Sequence, residues 1–243
     1  MVSLSEKTQV EHELRKTITG DIKFDSYSRM LYSTDASIYQ MEPIGVVLPR
    51  NTEDVIATMQ ICSDSKTIFL PRGGGTSLAG QTVNHGVVVD FTKYMNRILS
   101  INPEERWAIV EPGITIDALN AGLKPYGLYY TPDPTTKSRA TIGGSLGNNS
   151  CGAHSVVYGK TSDQVLELDV ILSNAEHVHF NTIEENALQS ILSSKPDSLE
   201  KRIYTETLRL ASEHREEIDR RYPRIQRRVS GYNLDFLRDN KPV

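Results

Sequence analysis

Three adjacent glycines, Gly73, Gly74 and Gly75, follow the apolar run Thr67-Ile68-Phe69-Leu70 inside the stretch PRGGGTSLAGQ, from Pro71 to Gln81. Such a triplet adds backbone entropy that folding must remove and offers no side chain to pack, so it belongs in neither a strand nor a helix interior. What it permits is close approach. Backbone without Cβ atoms reaches φ > 0 and turns successive N–H groups toward one point, an anion-binding nest, and Thr76 and Ser77 add hydroxyl donors. Arg72 and the uncharged tail Leu78-Ala79-Gly80-Gln81 point to a ligand that is anionic in one part and flat or apolar in another. A plain surface turn is the simpler alternative, but ordinary turns do not need three glycines in a row.

The two commonest phosphate loops do not fit. Gly75 and Gly80 have the P-loop spacing, but Gln81-Thr82 stands where Lys-Ser/Thr would reach the β- and γ-phosphates, which argues against ATP. Gly73-x-Gly75 begins a dinucleotide fingerprint, yet Leu78 occupies the position of its third glycine. A second glycine-rich stretch lies about sixty residues on, ATIGGSLGNNSCGAHSVVYG from Ala140, with Thr141, Gly143, Gly144, Gly147, Asn148, Asn149 and Gly152 in a largely neutral segment. Two such segments imply a long ligand. The rigid turn Thr131-Pro132-Asp133-Pro134 stands just before it, each proline fixing its own φ and biasing the preceding residue to extended geometry.

In this order, PRGGGTSLAG, the Pro-Asp-Pro turn, ATIGGSLGNNSCG and VLELDVIL resemble the FAD-binding domain of the vanillyl-alcohol-oxidase or PCMH-type flavoproteins. Within them the chain is similar to the FAD-linked oxidase branch of D-lactate, glycolate and D-2-hydroxyglutarate dehydrogenases, including large bacterial members fused to an iron–sulfur domain. The resemblance covers about residues 40 to 180. It implies that Arg72, Gly73, Gly74, Gly75, Thr76, Ser77 and Leu78 hold the FAD pyrophosphate. Thr141, Ile142, Gly143, Gly144, Asn148, Asn149 and Gly152 would line the flavin and its ribityl chain, Pro132 and Asp133 would also contact the cofactor, and Val170 would meet the adenine end through its backbone. Relatives that bond the flavin covalently carry a histidine near the end of the first loop; Thr76 and Ser77 stand there here, so noncovalent FAD is expected. His154 occupies a position where many relatives have arginine; it is either close to the flavin, tuning its charge, or a histidine satisfied by loop carbonyls.

The resemblance also implies a division of labour. This domain would carry FAD, while a substrate-binding cap, expected beyond Ser230-Gly231-Tyr232-Asn233-Leu234, would supply most groups that hold a D-2-hydroxy acid and the base for its hydroxyl proton. No catalytic base is assigned in this chain, which is expected to be a fragment lacking that cap. The expected chemistry of the whole protein is hydride transfer from the substrate Cα to the flavin, with reduced flavin passing electrons to an acceptor that the sequence does not identify. An alcohol oxidase, an enolpyruvyl-sugar reductase and a noncatalytic flavin-binding or docking module remain the alternatives.

Composition is compatible with these readings. The formal net charge of −4 over 243 residues argues against a nucleic-acid or anionic-membrane binder. No apolar run approaches transmembrane length and the start MVSLSEKTQVEHELRK lacks a secretory core, so cytoplasm is expected, with peripheral membrane association left open for a full-length protein. Two cysteines, Cys62 and Cys151, cannot assemble a four-thiolate iron–sulfur cluster from this chain alone. Cys62 shares a helical periodicity with Val55, Ile56 and Met59 and is expected in a core, and Cys151 is expected as a small residue of the second loop.

The predicted order of elements begins with a βαβ unit: a strand at Gly45–Leu48, a helix opened by Asn51 and running from Val55 to Ile61, and a strand from Thr67 to Leu70, with a further strand at Val87–Val89. Hairpins follow at 98–110 and 165–180, separated by a helix capped by Thr115. The fold class is therefore α+β, with a small parallel sheet and a larger mainly antiparallel sheet holding FAD between them. The expected divisions are 1–40, helical or extended; 41–97, the first FAD subdomain; 98–183, the second; and 184–243, a helical arginine-rich segment. His177 and His179 share one strand face but lack an evident third metal ligand. From Ser198 to Arg221 a surface helix is expected, and the arginines from Arg220 to Arg228 read as a solvated face or domain contact.

Overall fold

The computed structural model describes residues 4–194, 198–225, 227–229 and 231–237. The chain groups into two compact units, residues 1–164 and 165–243. The expected division between residues 97 and 98 falls inside the first unit.

The first unit opens with helices α1 (Leu4–Thr17) and α2 (Ser26–Leu31), separated by the short strand β1 (Asp21–Lys23). Strand β2 (Gly45–Leu48), helix α3 (Thr52–Asp64) and strand β3 (Phe69–Arg72) form the expected βαβ unit, and β4 (Val87–Asp90) inserts between the two strands, giving the order β1-β2-β4-β3. β4 runs parallel to both β2 and β3, whereas β1 is antiparallel to β2. Central position explains composition: every residue of β2 and β4 is buried, as strands covered on both faces require. Alternation divides their side chains between faces. Val47, Val87 and Val89 join Val10, Leu14, Ile18, Phe24 and Cys62 in one core cluster, while Val46, Leu48 and Val88 form another with Tyr32, Leu70 and Tyr94.

Asn51 starts α3 as its sequence position predicts, its side chain accepting from the Asp54 N–H at 2.9 Å. The buried Asp54 carboxylate in turn accepts from the backbone N–H groups of Thr19 and Arg50, at 2.8 and 2.9 Å, tying the turn before β1 to the start of α3. Cys62 is packed as expected, and burial pushes its thiol pKa up to about 12.

The remainder of the first unit contains the hairpin β5 (Ile98–Asn102) and β6 (Trp107–Val110), then α4 (Ile116–Leu123), capped by the Thr115 hydroxyl, a short α5 (Ile142–Asn148) and α6 (Ser155–Tyr158). Ile114, Ile116, Leu119, Leu123, Ala140 and Ile142 form their core. The second unit contains the hairpin β7 (Leu168–Ile171) and β8 (His177–Phe180), then α7 (Glu185–Ser193), α8 (Leu199–Glu213) and α9 (Arg215–Arg221). The antiparallel strands thus make two separate pairs among the described residues instead of one larger sheet. The helix expected over 198–221 is broken at His214, whose backbone at φ −104° and ψ 17° leaves the helical region. Ser230 lies outside the described residues. No helix of the described residues is long and apolar enough to cross a membrane.

Candidate functional site

The first glycine-rich loop leaves the carboxyl end of β3, where an open parallel sheet presents its ligand site. None of the backbone N–H groups from Gly73 to Leu78 donates to another described residue. Gly75 and Gly80 have φ of 64° and 78°, the left-handed geometry that glycine adopts without a Cβ penalty. The buried Ser77 hydroxyl accepts from Ala79 N–H at 3.2 Å and so supports the descending side of the loop, while Leu78 is exposed.

Gly73 and Gly74 owe their lack of side chains to a protein contact. A Cβ on Gly73 would strike the Thr141 hydroxyl, and one on Gly74 would strike the Arg139 carbonyl. The two sequence-distant glycine-rich segments therefore meet, with the first loop lying directly against 139–141. Thr141 is buried and its hydroxyl accepts from Gly144 N–H at 3.2 Å, capping α5, while Ile142 and Gly143 N–H donate to the Ile114 and Pro112 carbonyls at 2.9 and 2.8 Å. These bonds occupy donors in the second segment, whose residues Ile142–Asn148 form α5.

Arg72 has a bracing geometry. Its guanidinium donates to the carbonyls of Thr82 at 2.9 Å and Thr34 at 2.8 Å, and it lies 5.3 Å from the centre of the Tyr32 ring. The Tyr32 hydroxyl donates to Asp90 at 2.6 Å, and Asp35 accepts from the Thr82 hydroxyl at 2.9 Å. Burial lowers the Arg72 pKa, with Asp90, Tyr32 and Asp35 acting in opposition; burial and the Asp90 hydrogen bond raise the Tyr32 phenol. Ala36 N–H also donates to the Gly75 carbonyl at 3.0 Å. The segment from Tyr32 to Ala36 is consequently fastened to the glycine loop. Sequence reasoning missed these partners because nothing in their local pattern marks them; only the topology brings them to Arg72.

At the other end of the site, Asn149 adopts left-handed geometry at φ 46° and closes α5, with its side-chain oxygen accepting from Ser162 N–H at 3.0 Å. Gly152 lies so close to Asp133 that a Cβ would strike its backbone and carboxylate, which joins the Pro132-Asp133-Pro134 turn to the second glycine segment. Asp133 accepts from the His154 backbone N–H at 3.1 Å and pairs with the His154 ring at 2.5 Å. Asn148 is the last residue of α5, and Cys151 is partly buried in the segment that follows. Val170 stands on β7 in the second unit, paired with Val178. His177 and His179 pair with Asp169 and Glu167, and no group of three or more His, Cys, Asp or Glu that could hold a metal occurs among the described residues.

These residues fit FAD by their donor chemistry. A pyrophosphate is held by several N–H donors, and those from Gly73 to Leu78 donate to no other described residue. The hydroxyls of Thr131, Ser145 and Ser162 are buried without a hydrogen-bond partner. Buried polar groups ordinarily have partners, so three orphaned hydroxyls in and around the second segment suit a polar ligand such as a ribityl chain. Sequence reasoning missed them, although Ser145 lies within the glycine-rich stretch.

Comparison with known proteins agrees with the chemistry. A sequence profile described as "FAD binding domain" matches residues 43–181, more than half of the chain. D-2-hydroxyglutarate dehydrogenase of Pantoea ananatis is 42% identical over 219 residues, covering 89% of this chain and 21% of that protein. The glycolate oxidase subunit GlcD of Bacillus subtilis is 40% identical over 164 residues, covering 65% of this chain and 35% of the relative. The chain thus spans about a fifth of the length of the D-2-hydroxyglutarate dehydrogenase. Among solved structures, p-cresol methylhydroxylase with substrate bound superposes with a TM-score of 0.65 at 21% identity, over 73% of this chain and 36% of that one. An alkyldihydroxyacetonephosphate synthase gives 0.66 at 23% identity, over 72% and 38%. At those identities the structures establish the shared α+β fold. With its profile match, its relatives and its donor-lined glycine loop in agreement, the chain belongs to the PCMH-type FAD-binding domain family.

Proposed function

We propose that this chain is the FAD-carrying part of a flavin-dependent dehydrogenase that oxidises a D-2-hydroxy acid of the 2-hydroxyglutarate, lactate or glycolate type. The observation that carries this reading is the run of N–H groups from Gly73 to Leu78 that donate to no other described residue, in a loop packed against the second glycine-rich segment. The substrate class is supported by the 2-hydroxy-acid chemistry in the names of its relatives. FAD supplies the redox chemistry as acceptor of a hydride. In this reading the residues from Gly73 to Leu78 hold the pyrophosphate, with Arg72 bracing that loop. Thr141 to Gly144 and Asn148 to Gly152, with Pro132 and Asp133, line the ribityl chain and ring. The attachment is noncovalent, since Thr76 and Ser77 offer no ring nitrogen at the end of the first loop. The protein acts in the cytoplasm and passes electrons to an acceptor outside this chain, whose two cysteines are too few for a four-thiolate cluster.

Reconstitution with FAD tests the assignment. Acid precipitation is expected to leave the yellow colour in the supernatant. Gly74→Val pushes the loop off the Arg139 carbonyl and misaligns its donors, at about 1–3 kcal/mol for each one left unpaired, so FAD affinity falls about tenfold or more. Colour retained in the pellet would contradict noncovalent attachment, and unchanged affinity of the variant would contradict the assigned loop.

A further inference from the structure

The first glycine-rich loop carries donors but little to fix its own shape, because its three adjacent glycines leave many backbone conformations open. One segment, from Tyr32 to Tyr39, meets it at four points along its length. At the start, the Thr34 carbonyl accepts from the Arg72 guanidinium at 2.8 Å. At Gly75, where a Cβ would strike that guanidinium, the Ala36 N–H donates to the carbonyl at 3.0 Å. Gly80, at φ 78°, packs so closely on the Tyr39 ring that a Cβ would strike it as well. At the far end, Asp35 Oδ2 accepts from the Thr82 hydroxyl at 2.9 Å and from its N–H at 3.4 Å.

The segment that does this is itself a closed turn. Asp35 Oδ1 accepts from the Ser37 N–H at 2.8 Å, the Ser37 hydroxyl accepts from the Tyr39 N–H at 3.1 Å, and a backbone bridge between Thr34 and Gln40 joins the two arms. The two oxygens of Asp35 thus have separate partners, one inside the turn and one on the glycine-rich loop. Burial would raise the Asp35 carboxyl; the hydrogen bonds from Ser37 and Thr82 prevail and hold it below its ordinary 3.8. At neutral pH it is therefore an ionised group that only accepts. Thr82 is held from two sides, its hydroxyl by Asp35 and its carbonyl by Arg72 at 2.9 Å. A carboxylate repels a pyrophosphate, so Asp35 can favour an anion in this loop only through the shape that it gives to the backbone.

We infer that Asp35 is a positioning residue for the cofactor: by tying Thr82 to the turn at 34–40, it keeps the N–H groups from Gly73 to Leu78 in the arrangement that holds the FAD pyrophosphate. Asp35 acts through Thr82 and not through a contact with the phosphates. A loop fixed in advance binds without losing further conformational entropy, whereas a loop released at one end binds only in the fraction of time that it spends in the competent arrangement. The inference rests on the reading of this loop as the FAD pyrophosphate site.

The test titrates FAD into the 243-residue chain, read by quenching of flavin fluorescence, for the wild type, Asp35→Ala, Asp35→Asn, Thr82→Val and the double variant of Asp35→Ala with Thr82→Val. Asp35→Ala is expected to bind about tenfold more weakly, as a loop competent for about a tenth of the time would. Asp35→Asn should return to within about twofold of the wild type, because its amide oxygen still accepts from the Ser37 N–H and its amide nitrogen donates to the Thr82 hydroxyl. Rescue by a neutral side chain separates shape from charge. Thr82→Val should lose a factor similar to that of Asp35→Ala, and the double variant no more than either alone, since both break one contact. Urea unfolding without FAD identifies the variants that are folded where they are titrated; should Asp35→Ala not fold, Thr82→Val carries the comparison. Unchanged affinity in either single variant, a loss that Asp35→Asn does not recover, or losses that multiply in full in the double variant would overturn the positioning role. A wild type that does not bind FAD would overturn the underlying assignment instead, so the two failures are distinguishable.

Discussion

At the scale of single residues, Arg72 shows how a side chain expected to meet a ligand can be engaged by the protein itself. Its position before three glycines suggested an anion contact, whereas its guanidinium is engaged by the Thr34 and Thr82 carbonyls and lies over Tyr32. Removing it would leave carbonyls without donors in a partly enclosed space. Arg72→Met is expected to lower stability by about 2–4 kcal/mol, because hydrogen bonds to a charged group are worth about 1.5–3 kcal/mol each and are not additive. Urea unfolding measures this, and Arg72→Lys should recover only part, since an ammonium lacks the planar fork that reaches two carbonyls together. A Met variant as stable as the wild type would refute the bracing role. Gly73 and Gly74 teach the same lesson: their need for no side chain was legible, but the Thr141 and Arg139 atoms that impose it were not, because those contacts cross a long stretch of chain.

At the scale of elements, caps and turns were the most legible features. Asn51 and Thr115 begin helices where their hydroxyl or amide chemistry predicts, and both hairpins occur at the expected stretches. β1 escaped notice because a three-residue strand, Asp21-Ile22-Lys23, has too short a pattern to show alternation and owes its form to pairing with β2. The base of the first hairpin contains a testable ion pair. Glu111, just after β6, is buried and accepts from the Arg97 backbone at 2.8 Å and from its guanidinium at 2.7 Å. Burial raises its carboxyl, but the Arg97 hydrogen bonds and charge prevail and hold it below the ordinary 4.5. A depressed folded-state value means that the stabilisation is complete above about pH 4.5 and is lost as pH falls through the folded pKa. Glu111→Gln should therefore lower the urea midpoint at pH 7 and reduce its further loss on acidification below pH 4.5. An acid limb identical to the wild type would contradict the assignment.

At the scale of the molecule, cofactor binding and substrate oxidation are expected to separate. The chain spans about a fifth of the length of the D-2-hydroxyglutarate dehydrogenases it matches, and its described residues provide a candidate cofactor site without an assigned base for a substrate hydroxyl. Positioning and proton transfer each contribute large factors to such reactions. The FAD-loaded chain mixed anaerobically with D-2-hydroxyglutarate, D-lactate or glycolate should therefore bleach far more slowly than a relative of full length, as read at the flavin's long-wavelength absorbance. Rapid bleaching by any of them would show that the necessary groups are already present and make His154 the first candidate base. The direct packing of Gly73 and Gly74 on Arg139 to Thr141 also has a kinetic consequence. Two stretches separated by about 65 positions must find each other before the site exists, and such a distant closure costs chain entropy before any contact compensates for it. If the proposed loop holds it, the nucleotide selects only chains in which this closure has occurred, acting as a latch on finished folding and not as a seed for it.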